Sequence, residues 1–518
     1  MSAALRDALA AAIGAAHVST DEAGLALAGS DLFEWPGAVA PALVLRPGSA
    51  GEAMQAMRLL AGAGYAVVPR GAGLSYTGGA VPHAPRVAVM DIRRLDHVSI
   101  DAADLRARVG AGATWEALAE AASSHGLRAA VAAPISGSHS TIGGAASQNL
   151  PGPMDGFIGV EAVLADGGLA RTGALAQPGG EGFWRHHGPD LTGLFLGDCG
   201  AFGIKTELAL RLAPERPAAF ASFAFERGGD LAAAMVATMR AGAATRAFAL
   251  DRLRSEGARN LDAGEAARTL GAVVAAAASP LQALRDAARL AKAGLGAGDD
   301  APWSMHVTAE AESERAAAER IDAVRGFCAA GREVDAVVPR TLRARPFSIR
   351  GMVGPQGERW VPVHGILPLS RAAAALAALE AIAEAERAAL DDAGMAVNWL
   401  VASTGPHVTI EPMFYWPDAL APIHLSYLSE RNRARFGAFA ANPAGRALAR
   451  RLREAMRDVL DAHGAVHAQL GRFYRYAEAL DPAAAALAHR IKLALDPGGR
   501  MNPGVLGLGA AGEGRGPA

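Results

Sequence analysis

The sequence predicts an α+β protein, with one domain built around glycine-rich loops over 1–213 and a second, helix-richer domain over 214–470. Three observations predict it. Residues 41–212 alternate short apolar strands with helices and change direction at Gly-rich corners. Residues 214–470 carry longer, more charged helical periodicities with strands between them, which reads as an antiparallel sheet flanked by helices. Three Gly-rich loops, all between Pro69 and Thr206, each adjoin a strand.

Each element has a local reason. Ser49 and Glu52 form a capping box before a helix with Met54, Met57 and Leu60 on one face, and Gly64 ends it. Ala66-Val67-Val68, Arg86 to Met90 and Leu105 to Val109 are short strands, the last followed by a helix starting near Thr114. Val160 to Leu164 and Leu169 to Arg171 flank Asp166-Gly167, a hairpin signature. Glu207 to Leu212 alternates as a strand. In the second domain, Ser370 to Asp392 reads as one amphipathic helix with Leu376, Leu379, Ile382 and Leu390 inward. Asn442-Pro443 starts another, with Leu448, Leu452, Met456 and Val459 inward and Gly464 as its stop. Val397 to Val401 and Val408 to Glu411 are strands. Residues 508–518, rich in Gly and Ala, are expected to form a disordered tail.

Composition narrows the class of function. The 518 residues can bury large cores. Fifty basic against 52 acidic residues leave a net charge of −2, which argues against a nucleic-acid binder. Cys199 and Cys328 form no disulfide framework or CxxC pair, and a reducing cytoplasm is expected. The N-terminus lacks a signal-peptide pattern. The longest apolar run, Leu270 to Pro280, is far short of the roughly 20 residues of a membrane span, so no transmembrane segment is expected.

The loops carry the chemistry. The first, Pro69-Arg70-Gly71-Ala72-Gly73-Leu74-Ser75-Tyr76-Thr77-Gly78-Gly79, follows a strand directly. Its glycines let successive N–H groups converge on phosphate oxygens, and Arg70 adds charge. It is not the GxGxxG dinucleotide pattern, and no ribose-binding acid follows at the right distance. The second loop, Ser138 to Ala146, has small residues that admit a flat ring and hydroxyls for phosphate or ring carbonyl. The third, Gly197 to Thr206, precedes a strand. A ligand with phosphates and a large planar group is implied, and FAD meets both requirements. The cofactor-binding candidates are Pro69, Arg70, Gly71, Ala72, Gly73, Leu74, Ser75, Gly78, Gly79, Pro134, Ser138, Thr141, Ile142, Gly143, Gly144, Gly200, Gly203, Ile204 and Asn502. Cys199 reads as a small neutral filler, since nothing nearby in sequence would form a thiolate.

The Arg70 to Gly79 loop, Thr141-Ile142-Gly143-Gly144, the Ala165-Asp166-Gly167 turn, the Gly197 to Glu207 stretch and the C-terminal Lys492, Leu495-Asp496-Pro497, Asn502-Pro503-Gly504 series resemble the vanillyl-alcohol oxidase/p-cresol methylhydroxylase flavoprotein superfamily. The resemblance covers about residues 37–213 and 470–507. It implies a PCMH-type, two-subdomain FAD-binding domain, an α+β cap from the middle of the chain, and a C-terminal segment, 471–507, that returns to the FAD domain. Two branches compete. The group similar to D-lactate and glycolate dehydrogenases carries a GDGN motif and an acidic residue before His-Gly that bind a divalent metal. Here the first is absent and the second stands as Ala462-His463-Gly464, so no metal is expected. The phenol-oxidising group has a first-loop tyrosine and a Tyr-Arg pair similar to Tyr76 and Tyr474-Arg475, and a cap residue that can hold the flavin covalently, in a stretch similar to that of His407.

The catalytic candidates are therefore His407, Glu411, Tyr474, Arg475, Arg472 and Tyr76. With Val408 and Ile410 inward, His407, Thr409 and Glu411 share the other face of one strand, where a His and a carboxylate can form an acid–base pair or metal ligands; a surface or core-satisfied pair is the equal alternative. On a strand, Arg472 and Tyr474 would share a face, and an arginine suits a carboxylate or a developing negative charge. His364, His463, His467 and the His186-His187 pair read as structural. The expected activity is dehydrogenation of a CH–OH substrate by hydride transfer to flavin N5, with a small 2-hydroxy acid first and a para-substituted phenol second. A flavin-binding subunit without turnover of its own is the reading from another class. Expected partners are a small-molecule substrate and an electron acceptor that is oxygen, a quinone or a cytochrome, with homo-oligomerisation open.

Overall fold

The computed structural model describes residues 1–150, 152, 154–251, 301–347, 352–436 and 439–509, and residues 267, 270–274, 284–285 and 287–288. The expected tail from 510 onward and most of the Leu270–Pro280 run lie outside the described residues. The chain divides into two compact units. The first is Met1–Glu215 with Ala421–Ser426 and Ala468–Ala518, and the second is Arg216–Leu420 with Tyr427–His467. No helix among the described residues is long and apolar enough to cross a membrane.

In the first unit, β1 (Val18–Ser19), β2 (Leu43–Leu45), β3 (Ala66–Arg70) and β4 (Val87–Asp91) form a sheet in the order β1-β2-β4-β3. β4 pairs parallel with both β2 and β3. Parallel strands are covered on both faces, which is why these read as apolar runs. Val44, Val68, Val87 and Val89 close over Ala28. The helix Ala50–Gly62 joins β2 to β3. Ser49 Oγ caps the helix by accepting the Glu52 N–H, and Glu52 Oε2 reaches back to the N–H of Gly48, one residue before the cap. Met57 and Leu60 are buried on it, and Met54 is half-buried.

A second sheet holds β5 (Val98–Asp101), β6 (Arg106–Gly110), β7 (Leu127–Ala129), β8 (Phe157–Val163), β9 (Leu169–Arg171) and β10 (Ile204–Pro214). β10 lies between β6 and β8 and also pairs with β7, all antiparallel. β8 and β9 form the hairpin expected at Asp166-Gly167, where Gly167 has φ +78°. β3 runs directly into the first Gly-rich loop, and the third loop runs directly into β10.

The second unit is built on one antiparallel sheet of β11 (Ala218–Phe225), β12 (Arg246–Asp251), β13 (Trp303–Glu310), β14 (Arg332–Val334), β15 (Arg359–Pro362), β16 (Gly365–Pro368), β17 (Ala396–Ser403) and β18 (His407–Trp416). Its order is β14-β11-β13-β12-β17-β18-β15, with β16 also on β18. Three local expectations need correction. The single helix over 370–392 is two, Ala372–Ala385 and Arg387–Asp392, because Glu386 (φ −99°, ψ 8°) leaves helical geometry and its carboxylate is held by Arg451. The helix Pro443–Ala462 starts as expected, with Asn442 capping Gly445 N–H, but its buried face is Ala449, Leu452, Arg453, Met456 and Leu460, with Leu448 and Val459 half-buried. The face is turned by one position because the buried Arg453 side chain reaches inward to the Pro362 carbonyl. Residues 471–475 are a turn, not a strand: Gln469 and Gly471 have positive φ, and the Tyr474 N–H donates back to the Leu470 carbonyl.

Candidate cofactor and active site

The three Gly-rich loops of the first unit enclose one cavity of about 850 Å3, counting the open space at its mouth. Pro69 to Ser75, Gly79, Pro134, Thr141, Gly143, Gly144, Gly200 and Gly203 line it. Glycine is required where the loops touch. A Cβ at Gly71 would stand 2.3 Å from Thr141 Oγ1, and one at Gly143 would stand 2.6 Å from the Ala111 Cβ. Gly200 has φ +73° and its Cβ would meet the Pro69 ring at 2.8 Å. In the first loop, the N–H groups of Gly71, Gly73, Leu74 and Ser75 make no hydrogen bond among the described residues. A run of unused N–H groups beside Arg70 is what a pyrophosphate needs. The unused donors and the small-residue walls together fit a dinucleotide with a planar ring system.

Other expected cofactor residues act on the loops from behind. Asn502 is fully buried, and its amide donates to the carbonyls of Gly79 and Cys199, both at 2.7 Å, so it staples the first loop to the third. Ile142 and Ile204 are fully buried beneath their loops. The Gly78 N–H is taken by Asp31, and Ser138 does not line the cavity. Ser140 and Lys205 line it from within the second and third loops, and sequence reasoning missed Ser136, Gln148 and Gln469, which line it too. The Ser136–Ser140 hydroxyl pair was legible in its local spacing, whereas Gln469 carries no sequence signal. Lys205 forms a buried ion pair with Asp198 at 2.5 Å, and the same carboxylate accepts the Gly200 N–H. Cys199, at φ +49°, is buried with its sulfur accepting the Gly471 N–H. Burial pushes its thiol up to about 12, so it stays neutral.

The C-terminal turn sits on the first loop. Gly471, at φ +57°, packs against Thr77, and the Arg472 N–H donates to the Thr77 carbonyl at 2.7 Å. Gln469 Nε2 donates to the hydroxyl of Tyr76, itself buried. Tyr474 is buried edge-on against Phe473, and Arg475 is exposed. Among the described residues, the Arg472 guanidinium donates only to neutral acceptors, Asn502 Oδ1 at 3.1 Å and the Pro503 carbonyl at 2.7 Å. Its Nε is buried and has no hydrogen-bond partner among the described residues, and burial pulls its pKa down to about 10.

In the second unit, β18 alternates as its pattern predicts. Val408 and Ile410 are buried, and His407, Thr409 and Glu411 are half-buried on the other face. Four residues of extended strand span roughly 13 Å, so His407 and Glu411 share a face without touching, which removes a direct acid–base pair. Burial lowers the His407 pKa below the ordinary imidazole value. His467 is held between the Asp461 carboxylate and the His364 carbonyl, both at 2.7 Å.

The cradle and its cavity define an FAD-binding oxidoreductase fold. Comparison with known proteins gives the family. Residues 41–173 match the FAD binding domain, and residues 219–506 match the C-terminal domain of FAD linked oxidases. The second match spans more than half of the chain, and the chain belongs to the FAD-linked oxidases; its cofactor is FAD. It is 31% identical over 183 residues to glycolate oxidase subunit GlcD of Bacillus subtilis, a stretch covering 34% of this chain and 37% of that one. It is 28% identical over 193 residues to D-lactate dehydrogenase of Archaeoglobus fulgidus, covering 35% and 42%. The match thus spans less than half of either relative. Solved structures share the fold over nearly the full length. They include 4-ethylphenol oxidase from Gulosibacter chungangensis (TM-score 0.65, 18% identity, 98% of this chain and 97% of that chain) and p-cresol methylhydroxylase (TM-score 0.71, 17% identity, the same coverages).

Proposed function

We propose that this chain dehydrogenates a small 2-hydroxy acid. The observation that carries the reading is Arg472, a largely buried cation whose hydrogen-bond partners among the described residues are all neutral. A buried charge without a counter-ion is costly, and a substrate carboxylate would relieve that cost with charge-assisted hydrogen bonds. The names of the two curated relatives, a glycolate oxidase subunit and a D-lactate dehydrogenase, support the same substrate class.

Bound FAD would supply the two-electron acceptor for the hydride. The pyrophosphate would rest on the Gly71 to Ser75 N–H groups and Arg70, and the ring system against the small residues of the second and third loops. Arg472 would hold the carboxylate and so orient the C–H bond. A base must take the hydroxyl proton; Tyr474, buried on the same turn as Arg472, would do so in its phenolate form.

The test is anaerobic mixing of the purified holoprotein with glycolate, either enantiomer of lactate, p-cresol or vanillyl alcohol, while the flavin band is followed. Hydroxy acids are expected to bleach it. Arg472→Met is expected to raise the half-saturating concentration roughly 10- to 100-fold, as loss of a hydrogen-bonded charge contact predicts. Bleaching by the phenols alone would overturn the reading in favour of a para-substituted phenol. That second reading is supported by the buried Tyr76, tied to Gln469, and by the names of the two structural neighbours. Bleaching only when a partner protein is added would favour a flavin subunit of a complex.

A further inference from the structure

Residues 31–35 lie outside both matched stretches, yet they are built into the cofactor cradle. Asp31 is 1% exposed. Its Oδ1 accepts the Phe33 N–H at 2.9 Å and the Trp35 indole N–H at 3.0 Å, and its Oδ2 accepts the Gly78 N–H at 2.8 Å. Gly78 sits at φ +73°, and a Cβ there would be 3.0 Å from the Trp35 ring, so the indole lies directly on this glycine. Trp35 also meets Phe473 edge-on, with centroids 6.2 Å apart. Phe473 is the residue between Arg472 and Tyr474.

The same N-terminal stretch clamps the loop elsewhere. The Leu32 N–H donates to the Ser75 carbonyl at 2.9 Å, the Val39 N–H to the Pro82 carbonyl at 2.9 Å, and Arg70 Nη2 to the Leu27 carbonyl at 3.1 Å. The loop is therefore fastened along its length, from Arg70 to Pro82, by one segment. A carboxylate suits position 31 because three donors converge on it and it presents only acceptors. Asparagine would turn an N–H2 toward one of those donors. Burial raises the Asp31 carboxyl to about 6, against the pull of its three donors and the charge of Arg70.

We propose that Asp31 and Trp35 are positioning residues for the flavin: Asp31 fixes the Gly78 end of the first loop, and Trp35 carries that placement through Phe473 to the Arg472–Tyr474 turn. Neither touches the cofactor cavity, so each acts through the loop it holds. The proposal rests on FAD binding in this cradle and not on the identity of the substrate.

The test uses the full chain loaded with FAD, and reads the FAD dissociation constant and the visible circular dichroism of the bound flavin. Asp31→Asn is expected to weaken FAD binding about tenfold, the equivalent of one mispaired buried hydrogen bond, and to alter the visible spectrum. Trp35→Phe keeps a ring over Gly78 and against Phe473, so it is expected to retain most of the wild-type signal. Trp35→Leu is expected to lose it. A structural role alone would lower the melting temperature and leave the flavin spectrum of the folded fraction unchanged. The proposal is overturned if Trp35→Leu, with wild-type far-ultraviolet dichroism, binds FAD within twofold of wild type and keeps the wild-type visible spectrum. If Asp31→Asn fails to fold, the Trp35→Phe and Trp35→Leu pair decides by the same readouts.

Discussion

Replacing Lys492 with methionine removes the cation that joins the C-terminal segment to the third flavin loop. The Lys492 ammonium is buried and donates to three oxygens: the Ala201 carbonyl at 2.8 Å, the Met501 carbonyl at 2.6 Å and Asp496 Oδ2 at 2.7 Å. Burial alone pulls the Lys492 pKa down, and the Asp496 charge opposes that shift. In the variant the Asp496 carboxylate stays buried with, among the described residues, only the Arg500 and Met501 N–H groups as donors. Breaking a buried ion pair from one side costs about 3–5 kcal/mol. For a cooperative unit of this size that corresponds to a fall of roughly 6–20 °C in melting temperature. The loss is local to the Gly200–Gly203 and Asn502 elements, so FAD affinity should fall with stability. The assay is urea unfolding of holo- and apoprotein with parallel FAD titration. Lys492→Met with Asp496→Leu should recover part of the loss, because no charge is then left buried. A single-variant cost below about 1 kcal/mol would refute the reasoning, since it would mean the carboxylate finds water or another partner.

Two further outcomes follow from buried titratable groups. His306 is fully buried between the Ser222 and Ser304 hydroxyls and beneath the Phe248 ring, and burial drives its pKa down to about 3. The folded state therefore holds a neutral ring while the unfolded chain takes up a proton below about pH 6.5, so stability should fall with acidification by roughly 1.4 kcal/mol per pH unit below that point. Urea midpoints of the wild type and His306→Gln between pH 7 and 5 check this, and equal slopes would exclude His306 as the cause. Cys199 and Cys328 are both buried, with thiols raised to about 12 and about 11. Neither should react with a thiol reagent at mildly alkaline pH while the protein is folded, and both should react in urea.

The features legible in the sequence are those whose cause is local. The Gly-rich loops are visible because positive φ and close backbone approach demand glycine at Gly73, Gly78 and Gly200 whatever surrounds them. The caps at Ser49, Thr114 and Asn442 and the Asp166-Gly167 hairpin are visible because their hydrogen bonds span two to four residues. The alternation of β18 is visible because a strand puts successive side chains on opposite faces.

What only the tertiary structure decided depends on partners far along the chain. Nothing near Gln469 announces that it bonds Tyr76, 393 positions away, or near Asp31 that it receives the N–H of Gly78. On a strand, Arg472 and Tyr474 of the 471–475 stretch would share a face. The stretch is a turn because Gly471 must pack on Thr77 and no neighbouring strand pairs with it among the described residues. The Pro443–Ala462 helix shows the same division. Its start was written in Asn442-Pro443, but which stripe faces inward was set by the Pro362 carbonyl that takes the Arg453 side chain. Local stereochemistry sets where the chain may turn and which residues can line a phosphate cradle. The choice among allowed packings is made by long-range hydrogen bonds and buried charges, which a one-dimensional pattern does not encode.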